Sequence, residues 1–94
     1  MPLKTLPYDP AEDLKSPESQ AELLNDALES GDAGYVANAL GIIARARGMS
    51  QVAREAGLSR EALYKGLSDS GDPRLSTLIG VARALGFKLR VAPA

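Results

Sequence analysis

The chain contains no cysteine and no histidine among its 94 residues. Without cysteine there can be no disulfide, no thiol nucleophile and no cysteine-ligated zinc. Without histidine, acid/base work near neutral pH loses its usual agent. No apolar run approaches the roughly 20 residues that cross a bilayer, and nothing at the N-terminus resembles a signal peptide. The longest apolar tract, 36–46, is broken by Asn38, Gly41 and Arg45. These absences predict a cytoplasmic protein with no cofactor, no metal and no membrane contact. No grouping of acid, base, nucleophile or ligand is visible, so an enzyme is not expected. The length suits one compact domain with a modest core.

What the chain does have is an uneven distribution of charge. Residues 1–34 carry two basic residues against eight acidic ones, a net of −6. Residues 35–94 carry nine basic against four acidic, a net of +5. Two parts are therefore expected: an acidic N-terminal arm with helices (1–34), and a basic core (35–94). A basic half suits a polyanion, and an acidic half suits a basic partner. An ordinary solvated helix face is the plain alternative for each run, and for the acidic half taken alone it is the preferred one.

The basic half is organised around Met49–Leu67, M-S-Q-V-A-R-E-A-G-L-S-R-E-A-L-Y-K-G-L. The pattern predicts two short helices joined by a tight turn. Ser50 is expected to cap the first, with Val52, Ala53 and Ala56 on its apolar face. Gly57 supplies the positive φ that ends a helix. Leu58 points inward and Ser59 caps a second helix from Arg60. On that helix Ala62, Leu63, Gly66 and Leu67 share one side at helical spacing, and Arg60, Glu61, Tyr64 and Lys65 share the other. A small residue at Ala53, a glycine four later and an aliphatic six after that is the spacing of a DNA-binding helix-turn-helix. The stretch resembles the repressor-type helix-turn-helix of phage Cro and repressor proteins, and the resemblance implies that the helix 60–67 enters the major groove. Plain packing of two helices in an all-α protein can give the same spacing.

The remaining segments read as further helices. Asp9-Pro10-Ala11-Glu12 is a helix start, with an N-cap, a proline at the first position and an acid three after the cap; this short helix ends near Lys15. Lys4–Tyr8 before it reads as an arm or an edge strand. Ser16-Pro17-Glu18 repeats the start, and a helix runs to Ser30 with Leu23, Leu24, Ala27 and Leu28 inward and Gly31 as the stop. Asp32 caps a helix from Ala33 to Arg47, whose stripe is Val36, Leu40 and Ile43, widened by Ala39, Ile42 and Ala46. This most apolar helix is expected at the centre, with a close neighbour at Gly41, and Arg45 and Arg47 favoured by the dipole at its end. After a loop at 68–74, Asp72-Pro73 is expected to open a last helix to about Leu85, with Leu75, Leu78, Ile79, Ala82 and Leu85 inward. Phe87–Val91 alternates apolar and basic, the strand period, and would need the N-terminal arm or a twin from a second chain. The expected fold is all-α: a repressor-like domain of five to six helices that can close with a short C-terminal β-strand.

With every segment placed, the chain resembles the addiction-module antidote family, the HigA-like antitoxins of type II toxin–antitoxin pairs. The matching runs are D-P-A-E-D-L at 9–14, A-L-G-I-I-A-R-A-R-G-M-S-Q-V-A-R-E-A-G-L-S-R-E-A-L-Y-K-G-L-S at 39–68 and P-R-L-S-T-L-I-G-V-A-R-A-L-G-F-K-L at 73–89. The resemblance implies a small helical homodimer that binds the operator of its own operon and silences a small basic RelE/HigB-type ribonuclease toxin. It implies Arg60, Glu61, Tyr64 and Lys65 as readers of DNA, and Ser50, Gln51 and Ser59 as backbone anchors. Gly66 stands where the family more often has alanine, Gly80 where it often has lysine, Asp72 replaces an asparagine and Arg74 a small polar residue. A stand-alone phage-type repressor without a toxin partner is the alternative.

Overall fold

Five helices follow one another in residues 16–68 and 71–94, the part of the chain that the computed structural model describes, with no strand among them. The expected helix from Asp9 and the arm at Lys4–Tyr8 lie outside the described residues. The all-α expectation holds for the rest.

Helix α1 (Pro17–Ser30) starts where the sequence signals it. The Ser16 hydroxyl accepts from the Ser19 amide at 3.1 Å, Pro17 occupies the first turn, and Gly31 at φ 72° ends the helix. Helix α2 (Ala33–Arg47) is capped by Asp32, whose carboxylate accepts from the Gly34 amide at 2.9 Å and the Tyr35 amide at 3.4 Å. It contributes the most to the core: Ala37, Ala39, Leu40, Gly41, Ile43 and Ala44 are all buried. Small residues at 37, 39 and 44 let neighbouring helices approach its backbone. Ile42 and Ala46 are only partly covered.

Helix α3 (Met49–Ala56) packs against α2, against α4 (Arg60–Gly66) and against α5 (Leu75–Ala84). Its buried side chains, Met49, Val52 and Ala53, join Leu24, Leu40, Ile43, Leu63, Leu67, Val81 and Leu85 in one core. Burial of each of the valine, leucine, isoleucine and methionine side chains among them is worth roughly 1.5–3 kcal/mol relative to exposure. Gly80 of α5 lies against α3 closely enough that a Cβ there would stand 3.4 Å from the Ala56 carbonyl oxygen.

Three expectations are corrected in the C-terminal part. The last helix begins at Leu75, not at Asp72-Pro73. The backbone stays extended through Arg74 (φ −65°, ψ 156°), which is the cap residue, and no side chain caps it. The loop is instead folded under α4: a Cβ at Gly71 would fall 2.5 Å from the Gly66 carbonyl oxygen. Secondly, Leu75 and Ile79 are 69% and 41% exposed rather than inward. The apolar residues of α5 are spread over more than half of its circumference, and packing on α3 buries Val81, Ala82 and the cap residue Leu85 while leaving Leu75 and Ile79 at the margin. Thirdly, no C-terminal strand forms among the described residues. Helix α5 ends in a Schellman turn at Gly86 (φ 85°), with the Phe87 amide on the Ala82 carbonyl at 2.8 Å. Beyond it the chain is irregular, and between described residues no backbone group from Lys88 to Val91 bonds another.

One polar tie crosses this core. The Arg47 guanidinium donates to the Leu85 carbonyl at 2.9 Å and to the Gln20 side-chain oxygen at 3.1 Å. It thereby joins the ends of α2 and α5 to a buried glutamine of α1. No helix among the described residues is long and apolar enough to cross a membrane.

Candidate nucleic-acid interface

The candidate surface is built on α3, the turn after it, and α4. Gly48, at φ 114°, is both the last residue after α2 and the N-cap of α3. Its amide closes α2 on the Ala44 carbonyl (2.8 Å) while its carbonyl accepts from Val52 (3.1 Å). The helix therefore begins at Met49, and the cap expected of Ser50 is not formed. Ser50 is exposed inside the first turn, and no side chain caps α3. Gln51 is exposed beside it, its amide donating to Glu55 at 3.3 Å one turn on.

The turn is closed by local bonds. Gly57 sits at φ 74°, and the Leu58 amide reaches back to the Ala53 carbonyl at 2.8 Å. Leu58 then packs on the core, fixing the angle at which the chain enters α4. Ser59 has the extended backbone of a cap, and its hydroxyl accepts from the Ala62 amide at 3.0 Å. The far end of α4 is held by Leu67, buried against Gly41 of α2. Only Leu63 of α4 itself is fully buried; Ala62, expected inward, is exposed. It borders a shallow cleft shared with Lys65, Pro73, Arg74 and Thr77.

Arg60, Glu61, Tyr64 and Lys65 are all exposed on α4. The structure also couples two of them. The Arg60 guanidinium donates to the Tyr64 hydroxyl at 3.1 Å and stands 5.5 Å from the centre of the Tyr64 ring. A cation held over an aromatic ring is worth about 0.5–1 kcal/mol at an exposed site. The pair fixes the reach of the arginine while leaving other guanidinium donors unused, and a fork of donors suits a guanine edge or a phosphate. Lys65 lies in the last turn, where a cation is favoured by the helix dipole.

Two further charges belong to this surface. Arg74 and Asp72 line the cleft beside Lys65, one adding a cation and the other offsetting it. Sequence spacing places them in a loop and says nothing of their approach to α4. Gly66 has room for a methyl group, since a Cβ there would meet only Thr77 and Pro73 at 3.9 and 4.0 Å.

Comparison with known proteins bears on the same residues. A family described as "Probable addiction module antidote protein" matches residues 4–93. An "Uncharacterized protein" of Haemophilus influenzae strain Rd is 46% identical over 84 residues, covering 89% of this chain and 87% of the relative. No solved structure matches the chain. The matched span takes in every described helix and the whole of the α3–α4 surface, so the chain belongs to the addiction module antidote family.

Proposed function

We propose that the chain is a HigA-like antitoxin. It binds and neutralises a small basic ribonuclease toxin of the RelE/HigB type, and it represses its own operon as a homodimer through a Cro-type helix-turn-helix. The protein acts by binding and is not an enzyme. The observation that carries the DNA reading is the make-up of α4. One side is locked into the core by Leu63, and the other presents Arg60, Glu61, Tyr64 and Lys65 to solvent.

In this reading α4 lies in the major groove. Arg60, steadied by Tyr64, addresses a base edge, and Lys65 and Arg74 neutralise phosphate. Ser50, Gln51 and Ser59 donate to the backbone on either side, and Glu61 accepts from cytosine or repels wrong registers. A two-fold axis sets two such helices about 34 Å apart on one face of a palindromic site. The toxin, being basic, is met by the acidic N-terminal part, to which Asp9, Glu12, Asp13 and Glu18 contribute charge.

The test is a fluorescence-anisotropy titration of DNA from upstream of the protein's own reading frame, run at two salt concentrations. Saturable binding that weakens steeply with salt and resists competition by random DNA is expected. Affinity no better than for random DNA overturns the regulator reading. For the toxin arm, the adjacent gene product should co-purify with the wild-type chain and be lost from the Asp9→Asn, Glu12→Gln, Asp13→Asn variant. Undiminished yield counts against that contact.

A further inference from the structure

The surface between α1 and the C-terminal segment is apolar, yet nothing among the described residues covers it. Leu28 is 43% exposed and Leu89 41%, and they line one cleft together with Asn25, Phe87 and Arg90. A second cleft continues from it across Leu89 to Ile79 and Leu75. The two form a strip that runs from α1 to the start of α5. Exposed apolar side chains that adjoin in this way mark an interface rather than scatter.

The strip has an edge of each sign. On the C-terminal side stand Arg83, Lys88 and Arg90, all exposed. On the α1 side, Glu22 and Glu29 flank Asn25 at i−3 and i+4 and are exposed. A surface with an apolar middle, an acidic edge and a basic edge is complementary to itself. A two-fold axis running along the strip sets the acidic edge of one copy against the basic edge of the other, and the apolar centres together.

We propose that this strip is where two copies of the chain pair, with Lys88 and Arg90 of each meeting Glu22 and Glu29 of the other. The inference rests on the homodimer of the proposed function and gives it a surface. It also decides against a direct twin of C-terminal strands. Antiparallel pairing about Leu89 would put Lys88 opposite Arg90, and like charges facing each other across strands repel. With the axis along the strip, each C-terminal segment faces an acidic helix instead. The dimer leaves α4 free, because the outward row of α4 and the strip share no residue.

The experiment measures mass in solution by light scattering and sedimentation for three chains: wild type, Lys88→Glu with Arg90→Glu, and Glu22→Lys with Glu29→Lys. All four charged positions to be reversed are exposed, and circular dichroism checks that each variant is folded. The wild type should be a dimer. Each reversal alone should weaken association by about tenfold or more, and mixing the two should restore a one-to-one heterodimer. Leu89→Asp should dissociate the dimer whatever the charges. Dimers indifferent to both reversals, or a mixture that fails to recombine, overturn the proposal. So does a wild-type chain that is monomeric, the strip then being covered by residues 1–15 or by a different protein. Operator binding by a dimer indifferent to the reversals removes this surface and leaves the proposed function standing. Reversals that act as expected in a chain that ignores operator DNA remove the regulator reading alone.

Discussion

Gly41 of α2 faces the carbonyl oxygen of Leu67, the residue that ends α4, so closely that a Cβ at position 41 would lie 2.5 Å from it. The contact is backbone against backbone, and neither side can yield by a rotamer change. It fixes the end of α4 on the central helix and so sets the angle of the outward row. Gly41→Ala gains helix propensity of about 1 kcal/mol but must push α4 away, at a cost of roughly 1–3 kcal/mol for overpacking. Net destabilisation in urea is expected, with a larger loss of operator affinity than of stability. A variant as stable as wild type would show that α4 is not clamped there.

Ser59 and Ser50 separate by the same substitution. Ser59→Ala removes the bond to the Ala62 amide and should cost about 1 kcal/mol. Ser50 makes no capping bond, so Ser50→Ala should stay within about 0.5 kcal/mol of wild type. Thermal unfolding followed at 222 nm distinguishes them; equal losses would mean that Ser50 caps α3 in solution.

The DNA reading predicts different behaviour for each outward residue. Arg60→Ala with Lys65→Ala should abolish specific binding while helicity is kept. Lys65→Ala alone should lower affinity for all sequences and reduce the salt slope by about one per protomer. Tyr64→Phe keeps the ring under Arg60 but deletes the 3.1 Å bond, so it should weaken specific binding more than random binding. Wild-type anisotropy curves for the double variant would remove α4 from the interface.

Tyr35 and Asp26 predict an alkaline effect. The Tyr35 hydroxyl donates to Asp26 at 2.5 Å. That bond first, then burial and the carboxylate's charge, raises the phenol above its ordinary value of 10.0. The folded chain holds this proton more tightly than the unfolded one. The stabilisation is therefore complete below pH 10 and is lost as pH rises through the raised value. In a Tyr8→Phe, Tyr64→Phe background, absorbance at 295 nm reports Tyr35 alone. Adding Asp26→Asn should bring its titration down; an unchanged curve would place the cause elsewhere.

Gly66→Ala tests whether the glycine in α4 costs stability. The site has room for the methyl and φ is not positive, so the variant should gain up to about 1 kcal/mol. A loss, measured by urea titration, would mean that the cleft beside Lys65 is tighter than the distances state.

Much of this fold is legible locally. Ser16-Pro17, Asp32, Gly31, Gly57, Ser59 and Gly86 each act on residues within a turn of themselves, and each stands where its chemistry predicts. The exposure of Arg60, Glu61, Tyr64 and Lys65 follows from helical spacing for the same reason. Ser50 does not cap α3 because Gly48 serves two helices at once, which puts the start of α3 two positions earlier than a Ser50 cap would.

What the amino-acid order determined alone is both ends of α1 and α2, the close of α3 at Gly57, the start of α4 after Ser59 and which face of α4 is polar, since caps, glycine turns and helical periodicity are local. What the tertiary structure decided is which side of the apolar α5 is buried, that Arg47 spans from Gln20 to Leu85, and that Arg74 comes to lie beside Lys65. Those outcomes depend on partners beyond the reach of a cap or a helical turn, up to 38 residues away. Their energies arise only once the helices have packed, and no local pattern encodes them.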